Sequence, residues 1–280
     1  MIRPFDLAGK TAVIVTMHGK ERVIAPALAA LGLRFLPSPA VDTDRFGTFT
    51  RDIGRAGNQT DALLAKARAG FVLAPLADFA VASEGAFGPH PEIPFIASNL
   101  ELAGMVERTS GQAVIGRHLT TDTNFRQAEA GSWGEVEVFA QAIGFPGHAL
   151  VVMGSRDGPV LAKGVTETDA LKALCLARFE LGAPVWLESD MRAHANPTRM
   201  DAVAAATADL VRRLQARCPA CAYPDWTPRT AAGRPCAWCN GPTNEAWTEV
   251  YLCGACGHRA EQRIAPDRKA DPGHCPSCNP

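Results

Sequence analysis

Eight of the nine cysteines lie between Cys218 and Cys278, as four Cys-x-x-Cys pairs: Cys218/Cys221, Cys236/Cys239, Cys253/Cys256 and Cys275/Cys278. A two-residue gap lets both sulfurs of a pair reach one zinc ion at about 2.3 Å, and two pairs complete a tetrahedron. The eight thiols therefore make two four-cysteine zinc sites. Successive pairs are separated by 14, 13 and 18 residues, which is zinc-ribbon spacing. Three pairings satisfy this arithmetic: sequential, nested and interleaved. Four thiolates leave no open coordination position, so the expected role is structural rather than catalytic. The ninth cysteine, Cys175, sits among Leu171, Leu174 and Arg178 on an apolar helical face and reads as core.

Residues suited to acid–base and anion chemistry lie upstream, at the ends of apparent strands, where open α/β sheets bind ligands. The first group is Thr16-Met-His18-Gly-Lys20, a strand-to-helix turn in which a glycine and a lysine can hold an anion. The second is the loop 41–50, with Asp42 and Asp44 as carboxylates suited to Mg2+ and Thr48 and Thr50 beside them. The third is Ser83-Glu84-Gly85, where Glu84 is the strongest candidate for a metal-binding or general-base carboxylate, with Glu101 as an auxiliary. The fourth is the loop 188–199, where Asp190, Arg192, His194 and Arg199 feed a capped helix and suit a phosphate or carboxylate. Together they predict a metal-dependent phosphohydrolase acting on a phosphorylated small molecule, with nucleoside triphosphates among the candidates.

A reading from another class makes the protein a non-enzymatic binder of RNA or of a protein partner through its ribbon. Trp226, Trp238, Trp247, Tyr223 and Tyr251 are the aromatic groups on which bases could stack. Charge opposes it: residues 211–280 hold nine Lys/Arg and six Asp/Glu, a net +3, and two zinc–tetrathiolate centres bring that to −1.

Two resemblances add to these readings. The segment from Cys253-Gly-Ala-Cys256 to Cys275-Pro-Ser-Cys278 resembles rubredoxin-like knuckles. That resemblance implies sequential pairing, with Cys218, Cys221, Cys236 and Cys239 on one ion and the other four on the second. The order Thr16-x-His-Gly-Lys20, Phe46-Gly-Thr-Phe-Thr50, Asn58-Gln-x-x-Ala62 through Lys66-Ala67, then Ala82-Ser-Glu84-Gly85 resembles the inosine/xanthosine triphosphatases across residues 11–125. It implies Mg2+-dependent hydrolysis of non-canonical purine nucleoside triphosphates. His18 stands where that family has asparagine, Lys20 comes one residue early, and Thr48 and Thr50 replace an acid. The whole chain resembles an uncharacterised bacterial family combining an α/β domain with a tandem zinc-ribbon tail, and no function comes with that likeness.

The elements that must carry these groups follow from periodicity. The sequence predicts strands over 11–16, 79–83, 149–153, 160–163 and 184–188, a hairpin of 101–107 with 112–119, and a strand-like 245–252. Helices are expected over 21–31, from Asn58 to 69, over 132–142, from a Thr166/Asp169 capping box to 180, and from Asn196-Pro197 to 217. The predicted architecture is α/β, a mixed sheet with flanking helices and hairpins over 1–217, followed by a tandem four-cysteine, rubredoxin-like zinc-ribbon domain over 218–280. A length of 280 residues with 47% hydrophobic content accommodates both and excludes a disordered chain. The net charge of −1 excludes nucleic-acid binding by bulk electrostatics. No stretch reaches the roughly 20 apolar residues of a membrane helix, and the N-terminus has no signal-peptide core, so a cytoplasmic protein with no membrane partner is expected.

Overall fold

The computed structural model describes residues 5–16, 18–37 and 58–280. Its contacts divide the chain into two compact units: Leu7–Val211, and Arg212–Pro280 together with Phe5 and Asp6. That division falls inside the last long helix, whereas the cysteine spacing alone puts a boundary at 217.

In the first unit, β1 (Thr11–Val15) is an almost continuous apolar run, as a strand covered on both faces must be. It is flanked in parallel by β2 (Arg34–Phe35) and β3 (Phe79–Pro89). Between them come α1 (Glu21–Ala29), which buries Ile24 and Leu28, and α2 (Gln59–Leu73). Asn58 starts α2 with a capping box: its side chain accepts from the Asp61 amide while the Asp61 carboxylate receives the Asn58 amide. Then β4 (Ala97–Glu107) and β5 (Ala113–Thr120) add antiparallel, giving the order β2-β1-β3-β4-β5.

A second, antiparallel sheet has the order β6-β9-β7-β8, from β6 (Gln127–Ala130), β7 (Leu150–Met153), β8 (Val160–Val165) and β9 (Val185–Ser189). Its core is Val136, Phe139 and Ile143 from α3 (Trp133–Ile143), Leu171 and Cys175 from α4 (Thr168–Phe179), and Leu150, Val152, Val185 and Leu187 from the strands. Ser132 and Glu135 form the capping box that starts α3. The last helix, α5 (Pro197–Gln215), begins with the Asn196 side-chain oxygen accepting the Arg199 amide at 3.0 Å.

Two expectations are corrected, and one strand was not expected. The strand expected to stop at Glu84 continues to Pro89, because a full antiparallel ladder with β4 carries it on. The helix α4 starts with Glu167 at its N-cap and no side-chain cap bond, so Thr166 does not cap it. The strand β6, Gln127-Ala128-Glu129-Ala130, alternates polar and apolar over too short a run to be read as a strand, and it exists because β9 pairs with it.

Against β5, α5 lies close. A Cβ at Gly116 would stand 2.2 Å from the Leu210 amide nitrogen and 2.4 Å from the Ala206 carbonyl oxygen. Both obstacles are backbone, so no rotamer change relieves them. Gly116→Ala is expected to cost about 2–4 kcal/mol, read as a lower thermal midpoint. An unchanged midpoint would show that the helix is free to move away.

Candidate functional site

In the second unit the antiparallel sheet β10 (Pro228–Ala232), β11 (Ala246–Leu252), β12 (Arg259–Arg263) sorts the cysteine pairs. Pro228 opposes Tyr251, so the pair before β10 and the pair after β11 arrive at one end of the sheet. The opposite end receives Cys236/Cys239 after β10 and Cys275/Cys278 after β12, with Cys236 bridged to Ala270. The groups are therefore Cys218, Cys221, Cys253, Cys256 and Cys236, Cys239, Cys275, Cys278. Pairing is interleaved, and the sequential scheme is corrected: a strand's length separates pairs that are neighbours in sequence.

Sulfur spacing fits zinc. Cys218–Cys256 is 3.8 Å, Cys221–Cys253 3.6 Å, Cys236–Cys278 3.9 Å and Cys239–Cys275 3.7 Å. A tetrahedron with bonds of about 2.3 Å has edges of roughly 3.8 Å, whereas a disulfide needs about 2.05 Å. Each pair sits in the same turn, the amide of the residue four places on donating to the first cysteine's carbonyl: Ala222, Asn240, Gly257 and Asn279. Two four-cysteine groups able to hold structural zinc are thus in place.

The ribbon aromatics largely serve the ribbon. Trp226 stacks on Tyr251 and His258 at 5.3 and 5.2 Å, Tyr223 packs on Phe5, and Trp247 lies near Arg234 and Arg263 at 5.2 and 5.0 Å. Buried Arg234 donates to the carbonyls of Ala246, Ile264, Ala265 and Arg268. Arg259 pairs with Glu261, and Arg268 with Glu245. Trp238, at 77% exposure, remains the open aromatic surface.

The first unit holds a buried polar network instead. β1 pairs with β3 only as far as Ala82, so Ser83-Glu84-Gly85 lies mid-strand with no β1 residue beside it. Alternation sends Glu84 to the α2 side, where its carboxylate meets Lys66 at 2.6 Å. Ser83 faces the other way and accepts a hydrogen bond from the Lys20 ammonium at 3.0 Å. On that face, register places Glu101 opposite Gly85 and Asn99 opposite Phe87. From α5, Arg199 reaches Glu101 at 2.8 Å and also donates to the Met191 carbonyl. A Cβ at Gly85 would lie 2.3 Å from the Glu101 carboxylate and 2.7 Å from the Arg199 guanidinium, so glycine here makes room for the pair. Arg192 is held by Asp190 at 2.6 Å, and the Gly164 amide also donates to Asp190. His18 stacks on His194 with ring centroids 5.1 Å apart.

Charge is unevenly shared. The pairs Lys66–Glu84, Arg199–Glu101 and Arg192–Asp190 match three cations to three carboxylates. Lys20 has no carboxylate partner among the described residues, only the Ser83 hydroxyl. Burial first, then repulsion from Arg199 and Lys66 against the attraction of Glu101 and Glu84, lowers its pKa to about 7. His18 is held down to about 3, by burial first and then by Lys20, His194, Arg199 and Arg192. His194 is lowered by burial and Arg192, with Asp190 opposing. Two buried acceptors, Glu101 Oε2 and Asn99 Oδ1, have no hydrogen-bond partner among the described residues.

Of the residues expected to act, the network joins His18, Lys20, Glu101, Asp190, Arg192, His194 and Arg199, while Glu84 is engaged by Lys66 on the far face. Asp42, Asp44, Thr48 and Thr50 lie outside the described residues. Sequence reasoning passed over Ser83, Lys66 and Asn99 as site residues. A signal existed for Lys66, a lysine between Ala62 and Gly70 on a buried helical face of small residues. None existed for Asn99, whose inward position depends on the β3–β4 register.

Fold and cysteine geometry define a mixed α/β protein with a small C-terminal zinc-binding module. The chain belongs to the family described as a domain of unknown function, DUF6671, matched over residues 73–280. That span takes in Glu84, Glu101, Arg199 and all eight paired cysteines, but neither Lys20 nor Lys66. No curated protein matches the chain, and the likeness to the inosine/xanthosine triphosphatases gains no support from either comparison.

Elemental analysis is expected to find two zinc ions per chain. The double variant Cys253→Ser/Cys256→Ser should hold one and leave Cys218 and Cys221 open to a thiol reagent. Exposure of Cys275 and Cys278 instead would restore sequential pairing. Lys20 makes a separate, pH-dependent expectation. Its folded pKa of about 7 lies below the ordinary 10.5, so the unfolded chain binds the extra proton between those values. The cost of burying Lys20 is fully present below pH 7 and disappears above about 10.5. Lys20→Met should therefore raise the thermal midpoint at pH 6 and give a shrinking gain toward pH 10. A gain that does not depend on pH would contradict the shift.

Proposed function

We propose that the first unit is an enzyme that binds a phosphorylated small molecule and hydrolyses a phosphate ester or anhydride. The observation that carries this reading is Lys20, the buried cation left over among the described residues when the three ion pairs are formed. A site with such a surplus is electrostatically complementary to an anion. The phosphate is held by the Lys20 ammonium and the Ser83 hydroxyl, within the field of Arg199 and Arg192.

Binding changes the protonation of the site. An anion beside Lys20 favours its charged form and lifts His18 from its low value, because both are suppressed partly by neighbouring cations. Neutral His18 then accepts the proton of a water whose oxygen attacks phosphorus as the bond to the leaving oxygen breaks. Nucleoside triphosphates stay in the substrate class through the sequence resemblance alone.

A resident Mg2+ does not fit the described donors. Glu84, Glu101 and Asp190 each face a cation at 2.6–2.8 Å, and among the described residues no three carboxylate or imidazole ligands converge in this unit. No step here passes through magnesium. The ribbon reading as an RNA or protein binder has less behind it, because Arg234, Arg259, Arg263 and Arg268 and most of its aromatics are occupied internally.

The test is phosphate release from a panel of phosphate esters and nucleoside triphosphates, together with anion binding by calorimetry. Lys20→Met is expected to weaken phosphate binding at least tenfold, the loss of one charged hydrogen bond. Sulfate, whose charge is constant across the range, should bind more weakly as pH rises above about 7, by up to tenfold per unit, since binding must then bring a proton to Lys20. Flat sulfate binding from pH 6 to 9, or no dependence on Lys20, would remove the proposal.

A further inference from the structure

Two acceptors on one strand of this site are unexplained by any anion. Glu101 and Asn99 are 0% and 1% exposed, yet Glu101 Oε2 and Asn99 Oδ1 make no hydrogen bond among the described residues. Leaving a buried carboxylate oxygen and a buried amide oxygen unmatched is unfavourable, and such groups in folded proteins ordinarily have partners. They lie two residues apart on β4, hence on the same face, with Cα atoms about 7 Å apart. That face is the one holding Lys20 and Ser83, since Glu101 opposes Gly85 and Asn99 opposes Phe87.

The missing partner must supply donors. A cation is disfavoured: Arg199 already contacts Glu101, and Lys20 beside it is itself driven toward neutrality, by burial first and then by Arg199 and Lys66. An aromatic base stacked on Phe87 is disfavoured too, because Arg199 lies over that ring at 5.3 Å and Phe125 packs beside it at 5.7 Å. Hydroxyl groups remain, since they donate without adding charge and need no stacking surface.

We propose that Asn99 and Glu101 form a hydroxyl-reading subsite, so that the ligand is a phosphate ester carrying sugar or polyol hydroxyls. This rests on the phosphate reading of Lys20 and deepens it. The phosphate lies at Lys20 and Ser83, and the hydroxyls donate to Glu101 Oε2 and the Asn99 amide oxygen. A sugar phosphate and the ribose of a nucleotide share this chemistry. Glu101 is a positioning residue as well, through its hold on Arg199.

Calorimetry on the full chain tests this with methyl phosphate, ribose 5-phosphate, glucose 6-phosphate and adenosine 5′-monophosphate. At least one hydroxylated ester is expected to bind tenfold or more tightly than methyl phosphate. Preference for ribose 5-phosphate or glucose 6-phosphate over the nucleotide identifies a free sugar phosphate, and the reverse identifies a nucleotide. Asn99→Ala should narrow the advantage over methyl phosphate to about twofold, and Asn99→Ser serves if the alanine variant does not fold. Equal affinity for all four esters in the unaltered protein, or an advantage untouched in both variants, overturns the proposal. If methyl phosphate binds and depends on Lys20, that failure leaves the phosphate reading standing. Absence of all phosphate binding overturns both.

Discussion

The ion pair between Arg199 and Glu101 is the constraint around which the first unit is organised. Both side chains are almost fully buried. Burying two charges is costly unless geometry and further hydrogen bonds offset the loss of water, so their surroundings are narrowly specified. Gly85 must lack a side chain to leave the carboxylate room, and Asn196 must start α5 so that Arg199 emerges in its first turn. The Met191 carbonyl takes a further guanidinium hydrogen. Because Glu101 belongs to the five-stranded sheet while Met191 follows β9 of the four-stranded one, a single arginine fastens the two sheets of this unit.

That fastening also sets the charge of the site. With Arg199, Arg192 and Lys66 each tied to a carboxylate, the network is neutral until Lys20 is added beyond the end of β1. Lys20 is within hydrogen-bonding reach of the Ser83 hydroxyl, a partner that cannot compensate its charge. The lowered pKa values of Lys20 and His18 are two expressions of one condition, positive charge confined in a poorly solvated space. Glu84, in contrast, is a stabilised carboxylate on the opposite face, and its likeness to a strand-end catalytic acid ends with the strand's continuation to Pro89.

The second unit solves another problem. Its strands are short and much of their surface is exposed, so two four-cysteine groups able to hold zinc and the stacked groups Trp226, Trp247 and Arg234 stand in for a large apolar core. Most of the ribbon's aromatics, with Arg234, Arg259, Arg263 and Arg268, are engaged within the ribbon, while Trp238 stays exposed. At the level of residue types, a ribbon for binding and a ribbon for support look alike; the difference lies in which hydrogen bonds and rings are already taken.

Legibility in the sequence followed the range of the forces involved. The caps at Asn58 and Asn196, the β4–β5 hairpin and the local apolar runs of β1 and β7 were readable because they depend on neighbours within a few residues, and so was the metal-ligand character of each Cys-x-x-Cys turn. The polar clusters around Lys20, Glu101 and Arg199 were visible as residue types at element ends. Which cysteines share an ion was not, because the antiparallel registry of β10 with β11 brings together knuckles distant in sequence and separates adjacent ones. Nor could the sequence say that Glu84 and Glu101 face opposite sides, or that Asn99 points inward. Side-chain direction in a strand has a period of two, so it is fixed by pairing partners far along the chain. The sequence by itself determined the chemistry carried and the local elements that carry it. Only the tertiary structure decided which charges meet, because registry and burial, rather than residue type, set the distances over which charge acts.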